Sequence, residues 1–389
     1  MRKFLSALIL FVLLSCGTVF ASSQQMKIGL FFDIKEKAVQ KDYYKFQANS
    51  KDGFIIKKYV GNEEVDCLDC KNDLIYIQKI TNQDKFVVYD DNNKFLTAKG
   101  DEQIEIISKN GIVGINDNKA YRGSLILKNE KDDKFIIINK LGLEEYLYGV
   151  VVKEIGYNAP IEAIKAQAIA ARTYAISHKD MYINYGFDIT DKYQQVYGGY
   201  LSENEKVNSA IDDTKDLVMF YDNKPIKAFY FTSSGGVTEG AENVWGKGEP
   251  YLVSVLDEYD LKRKDTSKWM VEVTTDEIQQ KLKNKNIDIG KLLDIDVAER
   301  SKSRRVIELK YIGSLSTYTL TKNDVRSLLN LKSQLFWIEK ENDVYRFYGK
   351  GFGHGVGLSQ VGAMGMADAG FNFFDILSHY FTGVEIRKL

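Results

Sequence analysis

The chain has 389 residues, of which 28% are charged and 44% hydrophobic, and its formal net charge is -1. This composition excludes a disordered polar chain, a collagen-like repeat and a polytopic membrane protein, and the near-zero charge argues against a general nucleic-acid-binding protein. Only three cysteines and three histidines occur, which excludes a Cys-rich zinc module and a multi-disulfide scaffold. The length alone predicts one to three domains.

The N-terminus has the form of a secretory signal peptide over residues 1–21. Arg2 and Lys3 precede an apolar run that ends in small residues at Ala21, and this order is typical of an exported chain. Two alternatives are a lipoprotein signal with Cys16 as the acylated residue and an uncleaved anchor. All three predict a protein of the cell envelope or exterior that contacts a membrane only through this segment.

Residues 22–115 are predicted to form a β-rich accessory domain. Short segments rich in Ile, Val, Tyr and Phe alternate there with polar turns, a pattern typical of strands. Cys67 and Cys70 form a Cys-x-x-Cys pair, but no second pair exists to complete a zinc site. We interpret them as a local disulfide or two exposed thiols rather than as a redox site.

The pattern changes in residues 116–389, which we predict to form a mixed α/β domain with 260–335 as an elaboration or subdomain. Two further strands are followed by the segment 160–179, which contains six alanines and no internal Gly or Pro. Its small and apolar residues recur on one helical face, so we expect a long buried helix. The predicted fold class is therefore α+β.

Glu154 is the candidate for acid–base chemistry. It follows the apolar run 150–152 and precedes the loop that leads into the alanine-rich helix. A carboxyl group beside apolar residues is a candidate for a raised pKa, and hence for a general acid.

Ser234 precedes two glycines, and a serine nucleophile would need a base such as His354. The G-x-S-x-G elbow is absent, so we favour a turn that contacts a ligand through its hydroxyl and backbone N–H groups. His178, Asp188 and Asp191 offer metal-ligating atoms, but their spacing is not diagnostic, and we favour solvated polar residues.

The C-terminal segment 349–370 contains eight glycines, with His354 among them. It matches neither the dinucleotide pattern nor the phosphate-loop pattern, so no nucleotide cofactor is predicted. The alternation of glycines indicates backbone that approaches another group closely or adopts positive φ. His354 has little local side-chain cover, which makes it a candidate functional residue.

Four segments, in order, resemble the SpoIID/LytB family, the stage II sporulation protein D group. They read EYLYGVVVKEIGYNAPIEAIKAQAIAARTYAI, DITDKYQQVYGG, KAFYFTSSGGVTEGAENVWGKGEPYL and GKGFGHGVGLSQVGAMGMADAG. The resemblance covers roughly residue 120 to Leu389. It implies action on bacterial peptidoglycan, either as a lytic transglycosylase that cuts peptide-stripped glycan strands or as a non-catalytic enhancer of a cell-wall amidase.

The resemblance implies that Glu154 is the catalytic acid, and the remaining matching blocks would form a glycan cleft. The expected cleft residues are Tyr197 stacking on a sugar, Ser234 with the N–H groups of Gly235 and Gly236 holding an acetamido group or developing charge, His354 and Gln360 binding hydroxyls, and one of Lys165, Gln167 and Arg172 pairing with a substrate carboxylate. Some members of the family carry a Cys and His zinc site before QVYGG, but this segment contains neither residue here. We therefore expect no metal and no other cofactor.

Overall fold

The computed structural model describes residues 24–90, 94–116, 118–130, 134–263 and 268–389. The leader predicted over 1–21 lies outside these ranges. Within them, no helix has the length and apolar character that a membrane-spanning helix needs. Helices and strands both occur, with strands concentrated in the N-terminal part, so the α+β prediction is confirmed.

The helices are α1 Leu143–Glu154, α2 Ile161–Ser177, α3 Glu205–Asp213, α4 Ala241–Trp245, α5 Glu258–Lys262, α6 Thr275–Lys283, α7 Gln360–Asp368 and α8 Phe373–Tyr380. The strands of the first half are β1 Gln25–Leu30, β2 Phe32–Asp33, β3 Ala38–Val39, β4 Lys45–Asn49, β5 Phe54–Val60, β6 Glu63–Cys70, β7 Leu74–Ile80, β8 Lys85–Tyr89, β9 Lys94–Lys99, β10 Glu102–Ile115, β11 Lys119–Glu130 and β12 Lys134–Gly142. Those of the second half are β13 Ile189–Thr190, β14 Leu217–Tyr221, β15 Lys224–Pro225, β16 Tyr230–Phe231, β17 Lys268–Thr274, β18 Leu292–Arg300, β19 Val306–Gly313, β20 Thr317–Thr321, β21 Phe336–Glu341, β22 Val344–Lys350, β23 Leu358–Ser359 and β24 Glu385–Lys388.

A sheet of eleven strands organises the N-terminal part, in the order β13-β1-β12-β11-β10-β4-β7-β8-β9, with β5 and β6 branching from β10. Its strands alternate buried and partly exposed residues, as in β7, where Ile75 and Ile77 are buried, because successive side chains point to opposite faces. The register between β10 and β11 shifts between Ile107 and Ile112. This irregularity lets β10 pair first with β5 and then with β4.

The same sheet runs through the boundary that the sequence predicts at residue 115. β10 ends there and pairs with β11, which pairs with β12, and β1 lies antiparallel to β12 and parallel to β13. One hydrophobic cluster also joins residues from both sides, such as Ile104 and Ile164. The accessory strands therefore share a core with the segment that follows, and the division into two domains stays a prediction.

Helix α2 forms the centre of the helical layer and confirms the buried helix predicted over 160–179. It begins after Pro160, whose carbonyl accepts the N–H of Ile164 at 3.1 Å. It contacts α1, α3, α7, α8 and β14, which its small side chains allow to approach closely. The fully buried alanines are Ala163, Ala166, Ala168, Ala170, Ala171 and Ala175.

A second hydrophobic cluster lies within residues 269–347 and packs the sheets β17-β22-β21 and β18-β19-β20 with α6. Arg305 extends from this region and is fully buried. Its guanidinium group donates to the carbonyl oxygens of Ser234 and Val237, both at 2.7 Å. The elaboration is thereby connected to the Ser-Gly-Gly turn.

We expect Gly149→Ala in α1 to lower the free energy of unfolding by about 1–3 kcal/mol, because extra volume is costly in a packed core. A Cβ atom at this position would lie 2.6 Å from Cε2 of Tyr197. The loss should occur although alanine favours an isolated helix by roughly 1 kcal/mol. Urea denaturation measures it, with Gly248→Ala as the control because its nearest neighbour would be 3.5 Å away. A gain in stability for Gly149→Ala would contradict this account of the packing.

Candidate active site

Glu154 is the last residue of α1 and lies where the helix gives way to a loop. The helix ends because Gly156, two residues on, takes a positive φ of 78°. The carbonyl groups at a helix C-terminus disfavour a negative charge. Oε1 of Glu154 accepts the backbone N–H of Val196 at 2.9 Å, so the carboxyl group joins α1 to the segment that contains QQVYGG.

Opposing influences act on the pKa of the half-buried Glu154 carboxyl group. Burial is the largest and raises the pKa, whereas the N–H of Val196 and the side chains of Tyr230 and Gln360 lower it by hydrogen bonding to the charged form. The net direction is upward. Such a group holds a proton more readily than an exposed glutamate. Once it has lost the proton, hydrogen-bond donors stabilise the carboxylate. Both properties suit a residue that first gives and then takes a proton.

Neutral amides and phenols surround this carboxyl group. Nε2 of Gln360, the first residue of α7, donates to Oε1 of Gln167 on α2 at 3.4 Å. Nε2 of Gln167 is buried and has no hydrogen-bond partner in the part of the chain that the structure describes. The structure therefore brings Glu154, Gln167 and Gln360 together, but Gln167 is 0% exposed, so the protein covers its free amide donor and the expected contact with substrate is not supported.

Tyr230 and Gln195 were not among the residues expected from the sequence. Tyr230 belongs to β16, whose parallel pairing with β23 brings Tyr230 opposite Leu358 and so close to Gln360. Gln195 donates from Nε2 to the Tyr230 hydroxyl oxygen at 3.0 Å. Both residues lie in blocks that carry the family resemblance, but contacts between distant segments place them here, the strand pairing for Tyr230 and the bond from Val196 to Glu154 for Gln195.

His354 contacts the backbone of Tyr230 and does not bond to Glu154. Its Nδ1 accepts the N–H of Val356 at 3.1 Å, and its other nitrogen lies 3.1 Å from the carbonyl oxygen of Tyr230. A carbonyl only accepts and an amide N–H only donates, so the ring proton is on Nε2. Burial lowers the pKa of His354 to about 3, and both nitrogens are occupied within the protein. The structure therefore does not support the expected binding of a sugar hydroxyl by His354.

The Ser-Gly-Gly turn uses its donors internally. The Asp260 carboxylate accepts the N–H groups of Ser234 at 2.8 Å and of Gly235 at 3.2 Å, and Oγ of Ser234 accepts the N–H of Gly236 at 3.0 Å. Ser234 is 0% exposed. The expectation that this turn holds an acetamido group or developing charge is therefore not met, because none of the three N–H groups is available. Nothing in the local sequence marks Asp260, 26 residues away, as their acceptor.

Tyr197 lies in the core and is 7% exposed. Its hydroxyl donates to Oδ1 of Asn139 at 3.0 Å, and its ring centroid lies 5.0 Å from that of Tyr146 and 5.7 Å from that of Tyr121. The expected stacking on a sugar face is not supported, because neighbouring rings cover Tyr197.

The two cations expected near the substrate are paired elsewhere. Nε and Nη2 of the buried Arg172 donate to the two carboxylate oxygens of Glu144 at 2.8 and 2.7 Å. Lys165 pairs with Asp213 at 3.0 Å. Neither is directed to Glu154, so the structure does not bring them into the candidate site.

The polar residues considered for a metal site perform structural roles. Oδ2 of Asp188 accepts the N–H of Lys27 at 2.8 Å, and Oδ2 of Asp191 accepts that of Phe31 at 3.0 Å. His178 stacks on Tyr174 with ring centroids 3.9 Å apart. Across the described ranges, no group of three or more His, Cys, Asp or Glu side chains is arranged to hold a metal ion.

The two cysteines of β6 are both free, and the disulfide alternative is wrong. Cys67 is exposed and Cys70 is buried. Three residues apart on a strand, they point to opposite faces of the sheet, which explains the absence of a bond between them. The alternative of two exposed thiols holds for Cys67 and fails for Cys70.

Comparison with known proteins places this site in a family. A family model described as Stage II sporulation protein matches residues 131–221, a range that contains Glu154, Gln167 and Gln195. The Stage II sporulation protein D of Bacillus amyloliquefaciens is 33% identical over 272 residues, which cover 64% of this chain and 76% of that protein. The chain belongs to the SpoIID family.

Other SpoIID relatives carry different names. An amidase enhancer of Bacillus subtilis (strain 168) is 31% identical over 290 residues, which cover 62% of this chain and 40% of that protein. An uncharacterized protein of Brachyspira hyodysenteriae is 34% identical over 272 residues, which cover 68% of this chain and 72% of that protein. A second model, a domain of unknown function (DUF8618), matches residues 239–357.

We expect Arg172→Met to lower the free energy of unfolding by about 3–5 kcal/mol, because it leaves the Glu144 carboxylate without its buried partner. Lys165→Met on the same helix is the matched control, and should cost at most about 1 kcal/mol because its partner Asp213 is 53% exposed and remains solvated without it. Urea denaturation of both variants measures the difference. Equal stabilities would contradict a structural role for Arg172.

We expect Glu154→Gln to stabilise the protein at pH 7, and the gain to shrink toward about pH 4. The pKa of Glu154 is raised in the folded protein from its ordinary value of 4.5, so the folded state binds this proton more tightly than the unfolded chain. The wild type therefore loses stability as pH rises from the ordinary value through the raised one, whereas the glutamine variant does not. Thermal unfolding of the wild type and the variant from pH 4 to pH 8 measures this trend. A pH-independent difference would contradict the raised pKa.

Proposed function

We propose that this SpoIID-family chain is an exported peptidoglycan lytic transglycosylase. It cleaves glycan strands, preferably stripped of their stem peptides, between N-acetylmuramic acid and N-acetylglucosamine, and leaves 1,6-anhydro-N-acetylmuramic ends. The observation that carries the proposal is a single half-buried carboxyl group, Glu154, of raised pKa. No carboxylate from another described residue is among the groups that shift it. Family membership supports a role at the cell wall, and the leader motif supports export.

The presence of one carboxyl group at the site favours a lytic transglycosylase over a hydrolysing glycosidase. Hydrolysing glycosidases ordinarily use two carboxyl groups, one as acid and one to activate water or form an adduct. A lytic transglycosylase needs one, because the nucleophile is the C6 hydroxyl of the same muramic acid residue. An intramolecular nucleophile is already held close to the carbon that it attacks.

Glu154 performs both proton transfers in this reaction. Its protonated carboxyl group gives the proton to the glycosidic oxygen as the bond from C1 to that oxygen breaks. The resulting carboxylate then takes the proton of the C6 hydroxyl as O6 bonds to C1. Glu154 returns to its starting form and no water is consumed.

The neighbours of Glu154 fit both halves of the reaction. Burial favours the protonated form that begins the cycle, and Val196, Tyr230 and Gln360 stabilise the carboxylate that exists between the two transfers.

We expect the wild-type protein to release fragments with anhydro-muramic ends, one water lighter than hydrolysis products, from peptide-free glycan strands. Glu154→Gln should reduce cleavage by at least about 100-fold, the usual range for loss of a general acid. Mass spectrometry of the products measures both results. Glu205→Gln is the matched control at an exposed helix start, and should retain full activity. Absence of cleavage by the wild type, or equal cleavage by Glu154→Gln, would overturn the proposal.

A second candidate is a non-catalytic peptidoglycan-binding protein that enhances an N-acetylmuramoyl-L-alanine amidase. The name of the Bacillus subtilis relative favours it. If the chain cuts no glycan but accelerates peptide release by an added amidase, and Glu154→Gln accelerates it equally, this second function holds.

A further inference from the structure

Gln195 is 1% exposed and lies between three hydrogen-bonding groups near Glu154. Its Nε2 donates to the carbonyl oxygen of Ala171 at 3.2 Å and to the hydroxyl oxygen of Tyr230 at 3.0 Å. Its Oε1 accepts the hydroxyl of Tyr146 at 3.2 Å. Both ends of this buried amide are therefore occupied.

The orientation of this amide follows from chemistry. The carbonyl oxygen of Ala171 has no hydrogen, so the amide atom facing it must be the nitrogen of Gln195. That nitrogen carries two hydrogens, and the second one points to Tyr230. The Tyr230 oxygen is thereby made an acceptor, and its single proton has to leave in another direction.

Glu154 is a neighbour of this phenol and is also bonded to the N–H of Val196, the residue after Gln195. Hydrogen bonding from the Tyr230 side chain favours the charged form of Glu154, as expected when the phenol donates to the carboxylate. The backbone of Tyr230 is fixed as well, because its carbonyl oxygen accepts the Nε2 proton of His354 at 3.1 Å. Both ends of Tyr230 are thus held, and only the direction of its hydroxyl proton depends on Gln195.

We propose that Gln195 is a positioning residue that directs the hydroxyl proton of Tyr230 onto the Glu154 carboxylate. This deepens the function proposed above, and its catalytic meaning rests on that function. In the first proton transfer Glu154 becomes negatively charged, and the directed phenol then stabilises the charge until the C6 hydroxyl gives up its proton. Gln195 acts through Tyr230 and does not contact the substrate in this scheme.

Three titratable groups in the described part of the chain lie near Glu154. They are the phenols of Tyr146 on α1, Tyr174 on α2 and Tyr230 on β16, and burial raises the pKa of each. The other contacts are the uncharged Gln360 on α7 and the N–H of Val196. All three phenols are protonated near neutral pH. The direction in which the Tyr230 hydroxyl donates its hydrogen bond is therefore set by hydrogen-bond geometry, and not by the loss of a proton from one of these phenols.

The test measures the pKa of Glu154 directly, by carbon-13 NMR of the full chain labelled at glutamate carboxyl carbons. Glu154→Gln assigns the signal by its disappearance. Tyr230→Phe removes the donor and should raise the pKa of Glu154. Gln195→Met removes the amide that orients the donor, so it should shift the pKa in the same direction. The double variant should match Tyr230→Phe alone, because Gln195 acts only through the phenol.

Gln194→Met provides the matched control. The neighbouring Gln194 also donates to a tyrosine hydroxyl, that of Tyr182, at 3.2 Å, and its Oε1 accepts from Thr190, but it does not contact Glu154. It should leave the pKa of Glu154 unchanged. A Gln195→Met shift no larger than that of Gln194→Met would overturn the proposal, and so would a double variant that shifts the pKa beyond Tyr230→Phe.

Kinetics supply a second readout that a merely structural role would not move. The alkaline limb of the kcat/KM profile on peptide-free glycan should move to higher pH in Gln195→Met and in Tyr230→Phe, because the acid stays protonated further. The double variant should agree with Tyr230→Phe within about twofold. If the wild type cuts no glycan, the proposed function fails, but the NMR measurement still decides the role of Gln195.

Discussion

The close approach of helices around α2 is the packing constraint on which the site depends. Alanines on several sides of α2 let α1, α3, α7 and α8 pack against one helix. This places the end of α1, which carries Glu154, near the start of α7, which carries Gln360. Larger side chains on α2 would separate these two helix ends, since a packed core has no spare volume to absorb them.

The same packing explains the buried charges. A helix that is covered on most sides leaves no solvated face for Arg172, so that side chain requires an internal partner, which Glu144 provides with two hydrogen bonds. Asp260 is also buried and also has internal partners, because its carboxylate accepts two backbone N–H groups of the Ser-Gly-Gly turn. These groups stabilise the frame of the site, whereas the carboxyl group of Glu154 combines partial burial with uncharged hydrogen-bonding neighbours.

Local sequence patterns were sufficient for the features that depend on neighbouring residues. The alanine spacing predicts α2, and the apolar run before Glu154 indicates a carboxyl group in a dry setting. The errors concern contacts between distant segments. Tyr197 occupies space that Gly149 leaves free, and the donors of the Ser-Gly-Gly turn are taken by Asp260. Tyr230 and Gln195 were missed for the same reason, because β16 pairs with the distant β23 and Gln195 bonds to the distant Tyr230.

That pairing has a consequence for how the chain can vary. β16 and β23 lie side by side although about 130 residues of chain separate them, and the segment between them contains the whole range 239–357 matched by a separate family model. Within this segment, Ala241 and Leu252 belong to the main hydrophobic cluster, whereas residues 269–347 form a cluster of their own and are a closed excursion from the fold. The length and surface of residues 269–347 can therefore change without moving Tyr230 or Gln360, provided that Arg305 still reaches back to the carbonyl groups of Ser234 and Val237.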